Sequence, residues 1–434
     1  MSARKLAFET LLRLEKDKSY SNIAVDNAIR KHGLTGADRS LFCILVYGVI
    51  ERKITLDYVI DALSSLPPHK IEADTRILLR MGLYQLMYLD RIPPHAILNE
   101  TVELAPRRSR GFVNALLRAY TRAKKDIEFP NKEENYPLYL SITYSYPLSL
   151  CKKLIEVYGE EQTEKILDGF NATPEITLRT NTLKNTREEL LACLLAKGLV
   201  ATPTENAPHG IKVASASLAD LGLEDGLCFV QDEASQICVE ALGAKPHDTV
   251  YDICSCPGSK SFGAGVNMKN QGEILACDLH ENKLSLVMRS AEALGITILR
   301  TAAVDGRVLD EHRVEKADRV ICDVPCSGFG VVAKKPEIRY KDLAECTALP
   351  SIQYDIIDTA CRYVKKGGTL VYSTCTIFPE ENEENVKRFL ASHPEFSLVP
   401  FRVGKVDAPT GMRTLLPNEF GTDGFFIAKL TRKE

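Results

Sequence analysis

The chain of 434 residues predicts a multidomain protein: an all-helical front, a small α+β middle module and a doubly wound α/β domain at the back. Three observations carry this. The length exceeds what one core holds and divides into two or three domains. Residues 1–130 show helical apolar spacing throughout. From about residue 236, short apolar runs alternate with helical stretches, the rhythm of a parallel sheet covered on both faces.

In the front segment, residues 1–130, Ala7, Leu11 and Leu14 share one helix face. Leu41, Ile44, Leu45 and Val49 share another, and Ile77, Leu78, Leu83, Leu86 and Met87 a third. The breaks at His32–Gly36, Leu66–Pro68 and Ile92–Pro94 read as interhelical turns. This segment holds 21 Lys and Arg against 15 Asp and Glu, a net +6 that leaves −9 for the remainder of a chain whose total is −3. Arg107, Arg108 and Arg110 lie together near its end, a composition suited to a phosphate backbone, although a solvated helix face accounts for any one of them equally well.

Residues 131–235 open on a polar, proline-bounded linker and then mix helix with short strand runs, Glu175–Thr180 and Gly210–Val213. In residues 236–434 the strand runs are Thr249–Ile253, Glu273–Cys277, Ile298–Leu299, Arg319–Asp323 and Thr369–Ser373. The longest apolar run, Leu41–Ile50, is about half a membrane span, and the N-terminus has no apolar signal region. Thirteen scattered cysteines without paired C-x-x-C spacing argue against a disulfide framework and against a metal site, and fit a reduced, cytoplasmic compartment.

An open parallel sheet binds ligands beyond the carboxyl ends of its strands. There stand Asp252, Asp278, Asp305, Asp323 and Cys375. The first strand is followed by Cys254-Ser255-Cys256-Pro257-Gly258-Ser259-Lys260, a turn that brings backbone close to a ligand but lacks the spacing of a pyrophosphate loop. Asp278, 20 residues beyond Gly258, stands where an acid takes ribose hydroxyls. The set suits a nucleoside cofactor without pyrophosphate, such as S-adenosylmethionine. Any one of these aspartates reads equally well as a helix N-cap, and a lone strand cysteine is usually a small buried apolar residue. Cys326 in Pro325-Cys-Ser-Gly328 and Cys375 in Tyr372-Ser-Thr-Cys375 differ, because both leave a strand into polar turns where a thiolate can form.

These motifs, with Leu178–Lys184, Val230–Gln236, Glu380-Glu-Asn382 and Asp423-Gly-Phe-Phe426, resemble the RNA cytosine-C5 methyltransferases. The whole chain resembles the bacterial Fmu/Sun (RsmB) group acting on 16S ribosomal RNA, and the front segment, with Asn114–Arg118, resembles the RNA-binding NusB fold. The resemblance implies a class I methyltransferase domain behind a ferredoxin-like module, with S-adenosylmethionine held by residues 254–260, Asp278, Asp305 and Asp323. It implies Cys375 as the thiol that attacks C6 of the base, Cys326 as the one that aids release, and a loop cytosine as target, position 967 of 16S rRNA. Lys260 is the cation nominated to lower the thiol pKa, with Asp323 beside cofactor and base. The protein is expected to be monomeric. Ser259 and Ser261 depart from the family's glycine and threonine, and Ser259 would weaken cofactor binding if its position needs a positive φ. A transfer-RNA methyltransferase, or a non-catalytic RNA-binding factor with a decayed fold, are the rival readings.

Overall fold

The computed structural model describes residues 2–17, 20–123, 126–214 and 218–434, and these divide into two compact units. The first comprises residues 1–172 together with Val332–Lys341; the second comprises the remainder.

The first unit is helical: α1 (Ala3–Asp17), α2 (Ser21–His32), α3 (Gly36–Glu51), α4 (Lys53–Leu63), α5 (Ala73–Tyr88), α6 (Pro94–Leu104), α7 (Arg110–Ala123), α8 (Tyr136–Tyr144), α9 (Leu148–Tyr158) and α10 (Glu160–Asn171). The punctuation works as its chemistry dictates: Gly33 closes α2 in the left-handed conformation, and a proline opens α6. Two apolar cores form, one on Leu6, Phe42, Leu45 and Ile77, the other on Leu56, Leu78, Leu83 and Leu117. Two of the three clustered arginines are engaged locally. Arg108 pairs with Glu72 and Asp74, and Arg110 donates to the carbonyls of Glu103 and Ala105.

The helical unit extends beyond the boundary expected at residue 130, because α8 is bonded to α4. Thr55 Oγ1 donates to the Ile142 carbonyl (2.6 Å), and Ser145 Oγ accepts from the Ile54 amide (3.1 Å). The segment Val332–Lys341 completes the same unit. Arg339, 1 % exposed, lies 4.2 Å from the Tyr146 ring centre and donates to the carbonyls of Glu51 (2.9 Å) and Ser145 (3.3 Å) and to Asn171 Oδ1 (3.2 Å). Glu337 accepts from the amide and hydroxyl of Ser21, and the Tyr340 hydroxyl donates to the Ile50 carbonyl (2.6 Å).

The second unit begins with a four-stranded antiparallel sheet in the order β2-β3-β1-β4, from β1 (Ile176–Thr180), β2 (Val200–Pro203), β3 (Gly210–Ala214) and β4 (Cys228–Val230). Helix α11 (Arg187–Ala196) covers it, opened by a reciprocal cap between Thr186 and Glu189. Helix α12 (Glu233–Leu242) leads into the larger domain. Buried Arg179 of β1 binds Glu240 of α12 (2.6 Å) and Asn267 (2.7 Å).

The larger domain contains β5 (Thr249–Asp252), α13 (Ser259–Asn267), β6 (Glu273–Asp278), α14 (Glu281–Leu294), β7 (Leu299–Ala303), β8 (Ala317–Asp323), α15 (Leu349–Ala360), β9 (Val364–Thr374) and α16 (Glu383–Ser392). It ends with β10 (Phe396–Leu398), β11 (Phe401–Val403), β12 (Val406–Ala408), β13 (Met412–Leu415), α17 (Pro417–Phe420) and β14 (Phe425–Arg432). The main sheet runs β10-β14-β9-β8-β5-β6-β7, with β13 beside β14. Strands β5 to β9 pair in parallel, and β14 is antiparallel to β9. Chain order reverses at β5, whose neighbours are β6 and β8, so a crevice opens beyond the carboxyl ends of these strands. Apolar side chains on both sheet faces are buried, among them Val250, Ile274, Ile321 and Val371 on one and Val320, Cys322, Leu370 and Tyr372 on the other.

The Arg339 contacts yield a stability prediction. Arg339→Met keeps the apolar stem over Tyr146 and leaves the acceptors Glu51 O, Ser145 O and Asn171 Oδ1 without this donor. The change should cost about 3 kcal/mol and speed amide hydrogen exchange in α8 to α10, read by mass spectrometry. Unchanged protection of α8 to α10 would assign Arg339 no anchoring role.

Candidate active site

Register brings the two cysteines together. Strands β8 and β9 are parallel neighbours with Asp323 opposite Ser373. Cys326 follows Asp323 by three residues and Cys375 follows Ser373 by two, so both turns leave the sheet side by side. Their sulfurs lie 3.0 Å apart, and the Cys375 amide donates to Cys326 Sγ (3.2 Å). Both cysteines are intermediate in residue exposure.

A buried carboxylate organises the two turns. Glu381, 3 % exposed, accepts from the Ser327 amide (2.9 Å), the Ser327 hydroxyl (2.5 Å) and Gln353 Nε2 (2.7 Å). The Ser327 hydroxyl is also 2.9 Å from Thr376 Oγ1, and the Tyr372 hydroxyl donates to the Glu381 carbonyl (2.6 Å). Asn382 binds Thr374 Oγ1 (2.5 Å) and donates to the Thr376 carbonyl (3.0 Å). The Glu380-Glu-Asn382 motif thus holds the Cys326 turn and the Cys375 turn at once. Glycines close the far side: the Gly330 amide donates to the Cys375 carbonyl (2.9 Å), and the Gly424 amide to the Gly330 carbonyl (2.8 Å). A Cβ on Gly330 would fall 1.8 Å from the Gly424 oxygen, so only glycine fits there.

Lys260, on the first turn of α13, gives its ammonium to Asp323 (2.6 Å) and lies 5.1 Å from the Phe425 ring centre. Asp323 also accepts from the Ser373 hydroxyl (2.7 Å). Burial disfavours the Lys260 charge, but the Asp323 carboxylate outweighs it and raises the pKa above the ordinary lysine value. Lys260, the cation nominated from the sequence to lower a thiol pKa, has Asp323 as its ion-pair partner. Its charge is matched by Asp323, a stronger partner than either sulfur. The Cys326 thiol is pushed well above its usual range by its hydrogen bond with Cys375, by burial, and by the charges of Cys375, Glu381 and Asp323.

The turn from Cys254 to Lys260 follows β5. The Ser255 amide donates to the Cys277 carbonyl (2.7 Å), tying the turn to β6. Gly258 has φ +105°, and a Cβ there would meet the Phe262 ring at 2.6 Å. The positive φ belongs to Gly258; Ser259, the first residue of α13, has none, so its Cβ is tolerated. Ser261 supplies the hydroxyl that binds Asp252 Oδ2 (2.6 Å). Burial holds the Cys254 thiol far above its ordinary pKa, and burial with the Asp278 carboxylate pushes Cys256 up to about 12. Asp278 ends β6 and accepts from the His280 amide (2.9 Å). Asp305, beyond β7, is clasped by Arg307 through the backbone amide (3.0 Å), Nε (3.0 Å) and Nη2 (2.7 Å), contacts that hold its pKa down to about 2. Arg307 thus engages both carboxylate oxygens, so Asp305 is less available to a ligand than Asp278.

Glu381, Gln353 and Ser373 are the positioning residues that sequence reasoning left without a role. Glu381 had a signal, since it stands in a quoted motif. Gln353 had none, being one polar residue on α15.

Residues 239–431 match the family described as 16S rRNA methyltransferase RsmB/F, residues 1–122 the NusB family, and residues 146–219 the RsmF/B-like ferredoxin-like domain. A probable ribosomal RNA small subunit methyltransferase B of Bacillus subtilis is 36 % identical over all of this chain and 99 % of its own length. The chain belongs to the ribosomal RNA small subunit methyltransferase B family. The corresponding protein of Klebsiella pneumoniae is 31 % identical over the whole chain and 99 % of its length. In three dimensions the crystal structure of PH0851 is similar over 100 % of this chain and 99 % of its own, with a TM-score of 0.82 and 27 % identity. A methyltransferase homolog protein from Pyrococcus horikoshii covers 69 % of the chain and all of its own length, at TM-score 0.61 and 26 % identity. As a member of this family the protein is an S-adenosylmethionine-dependent RNA methyltransferase.

Asp252 carries the site's pH prediction. Burial raises its pKa to about 7 against an ordinary 3.8, with Ser261 opposing. A raised folded pKa means stability present below pH 4 and lost as pH climbs toward 7, by up to about 4 kcal/mol. Asp252→Asn should therefore raise the melting temperature at pH 8 and change it little at pH 4. Equal effects at both pH values would remove the titration of Asp252 from the account.

Proposed function

We propose that this protein methylates C5 of a loop cytosine in small-subunit ribosomal RNA, position 967 of 16S rRNA, through a covalent bond between Cys375 and C6 of the base. The observation that carries the reading is the pair of thiols, 3.0 Å apart, at the ends of neighbouring strands. C5 of cytosine is a weak nucleophile. Addition of a thiolate at C6 makes C5 an enamine carbon able to take a methyl group. Afterwards the C5 proton must leave and the C6–S bond must break, and this needs a proton carrier beside the attacking sulfur.

The Cys326 thiol is held above its usual range by its hydrogen bond with Cys375, by burial and by the neighbouring charges. We assign the attack to Cys375; a water positioned by Cys326 takes the C5 proton, and the C6–S electron pair returns to Cys375 as that bond breaks. Asp323, held by Lys260 and Ser373, offers a carboxylate that can accept from the exocyclic amine of cytosine.

S-Adenosylmethionine, when bound, supplies an electrophilic methyl group on a sulfonium. The residues present fit it. Carboxylates at the strand ends suit ribose hydroxyls and a cation, Gly258 keeps the turn clear of a side chain, and Asp252 Oδ1 is buried without a partner among the described residues. Residues 254–260 would line the turn against it, with Asp278 taking the ribose and Asp305 at the edge. The basic helical front would meet RNA phosphates. A loop nucleotide suits the site, since its base unstacks most readily.

Bisulfite sequencing of ribosomal and transfer RNA from cells with and without the gene tests the target. The expected result is one 16S rRNA cytosine that loses methylation in the deletion and regains it with wild-type protein but not with Cys375→Ala. Methylation lost from transfer RNA, with 16S rRNA unchanged, would replace the proposed substrate.

A further inference from the structure

Two cysteines in contact pose a chemical question: each could ionise, and only one may attack. Beside the Cys326 turn stands one built feature, the buried carboxylate of Glu381. It reaches Cys326 through the neighbouring residue, accepting from both the amide and the hydroxyl of Ser327, while Gln353 holds the same carboxylate from α15 and donates to the Pro325 carbonyl (3.0 Å). The residues before and after Cys326 are thus pinned to one buried cluster. Isolated carboxylates are rarely buried at 3 % exposure, and this one has three donors to repay its desolvation.

We propose that Glu381 is a positioning residue that makes the two thiols unequal, by fixing the Cys326 turn against Cys375 and keeping the proton on Cys326. The inference rests on the reading of Cys375 as the attacking thiol. The groups that face Cys326 are Cys375 from the end of β9, Asp323 from the end of β8, itself matched by Lys260 of α13, and Glu381 from the turn before α16. Because Asp323 already has a cation, Glu381 is the carboxylate without an ammonium or guanidinium among its hydrogen-bond partners described above. Its oxygens bond the amide and hydroxyl of Ser327, the residue next to Cys326.

Glu381→Gln separates charge from shape. A glutamine can accept from the Ser327 amide and Gln353 with its oxygen and donate to the Ser327 hydroxyl with its nitrogen, so the turn keeps every hydrogen-bond position and loses only the charge. The full-length protein is treated with iodoacetamide from about pH 6 to about pH 10, and modification of Cys326 and Cys375 is followed separately by peptide mass spectrometry. In wild type, Cys375 should react at lower pH than Cys326. In Glu381→Gln the Cys326 profile should move to lower pH, raising its modification rate about tenfold at a fixed pH below the midpoint, and kcat should fall with KM unchanged. A second variant, Ser327→Ala, removes the hydroxyl and leaves the charge, and its Cys326 profile should stay with wild type. A Cys326 profile unmoved by Glu381→Gln, or moved equally by Ser327→Ala, would overturn the proposal. These profiles read the thiols without RNA, so they stand or fall apart from the methyl-transfer reading, which activity of Cys375→Ala decides.

Discussion

The active site depends on one pairing: β8 lies parallel to β9 with Asp323 opposite Ser373. A slip by one residue would turn alternate side chains to the opposite face of the sheet. It would part Asp323 from Ser373 and carry the two cysteine turns out of step. The register is secured by burial on both sides, since Val320 and Cys322 face one core and Ile321 the other, with Leu370, Val371 and Tyr372 answering from β9. The sheet thus delivers two thiols to the same point with no direct sequence link between them.

Around that point, charge is arranged in two separate pairs of relations. Lys260 and Asp323 neutralise one another, and Ser373 fixes the carboxylate's second oxygen. Glu381 is held by neutral donors beside the Cys326 turn. The contact between the two sulfurs follows from the same geometry. The glycine contact between residues 330 and 424 lets β14 close over the Cys375 turn, which explains why a motif far along the chain belongs to this site.

Much of this was legible in the sequence because parallel strands announce themselves as apolar runs, and ligand-facing residues follow them directly. Asp252, Asp278, Asp323, Cys326 and Cys375 all stand where that rule puts them. That α8 packs with the front helices was not legible: it begins at a proline-flanked stretch that reads as linker, and its bonds to α4 reveal its allegiance. Arg339, in a charged segment after Pro336, reads as solvent-exposed, yet it is buried on Tyr146. Glu380 and Glu381 are adjacent acids before a helix, and helix-end electrostatics favours acids there whichever of the two is buried. Spacing locates the cation Lys260 without showing which anion claims it, and that anion is Asp323.

The central claim is that Cys375 attacks the base and Cys326 releases it. The most direct measurement incubates each variant with S-adenosylmethionine and small-subunit RNA and runs the products on a denaturing gel. The account predicts that Cys326→Ala accumulates a protein band shifted by covalently bound RNA, and that Cys375→Ala and the double variant show none. A shifted band from Cys375→Ala, absent from Cys326→Ala, would contradict it and reverse the roles of the two thiols.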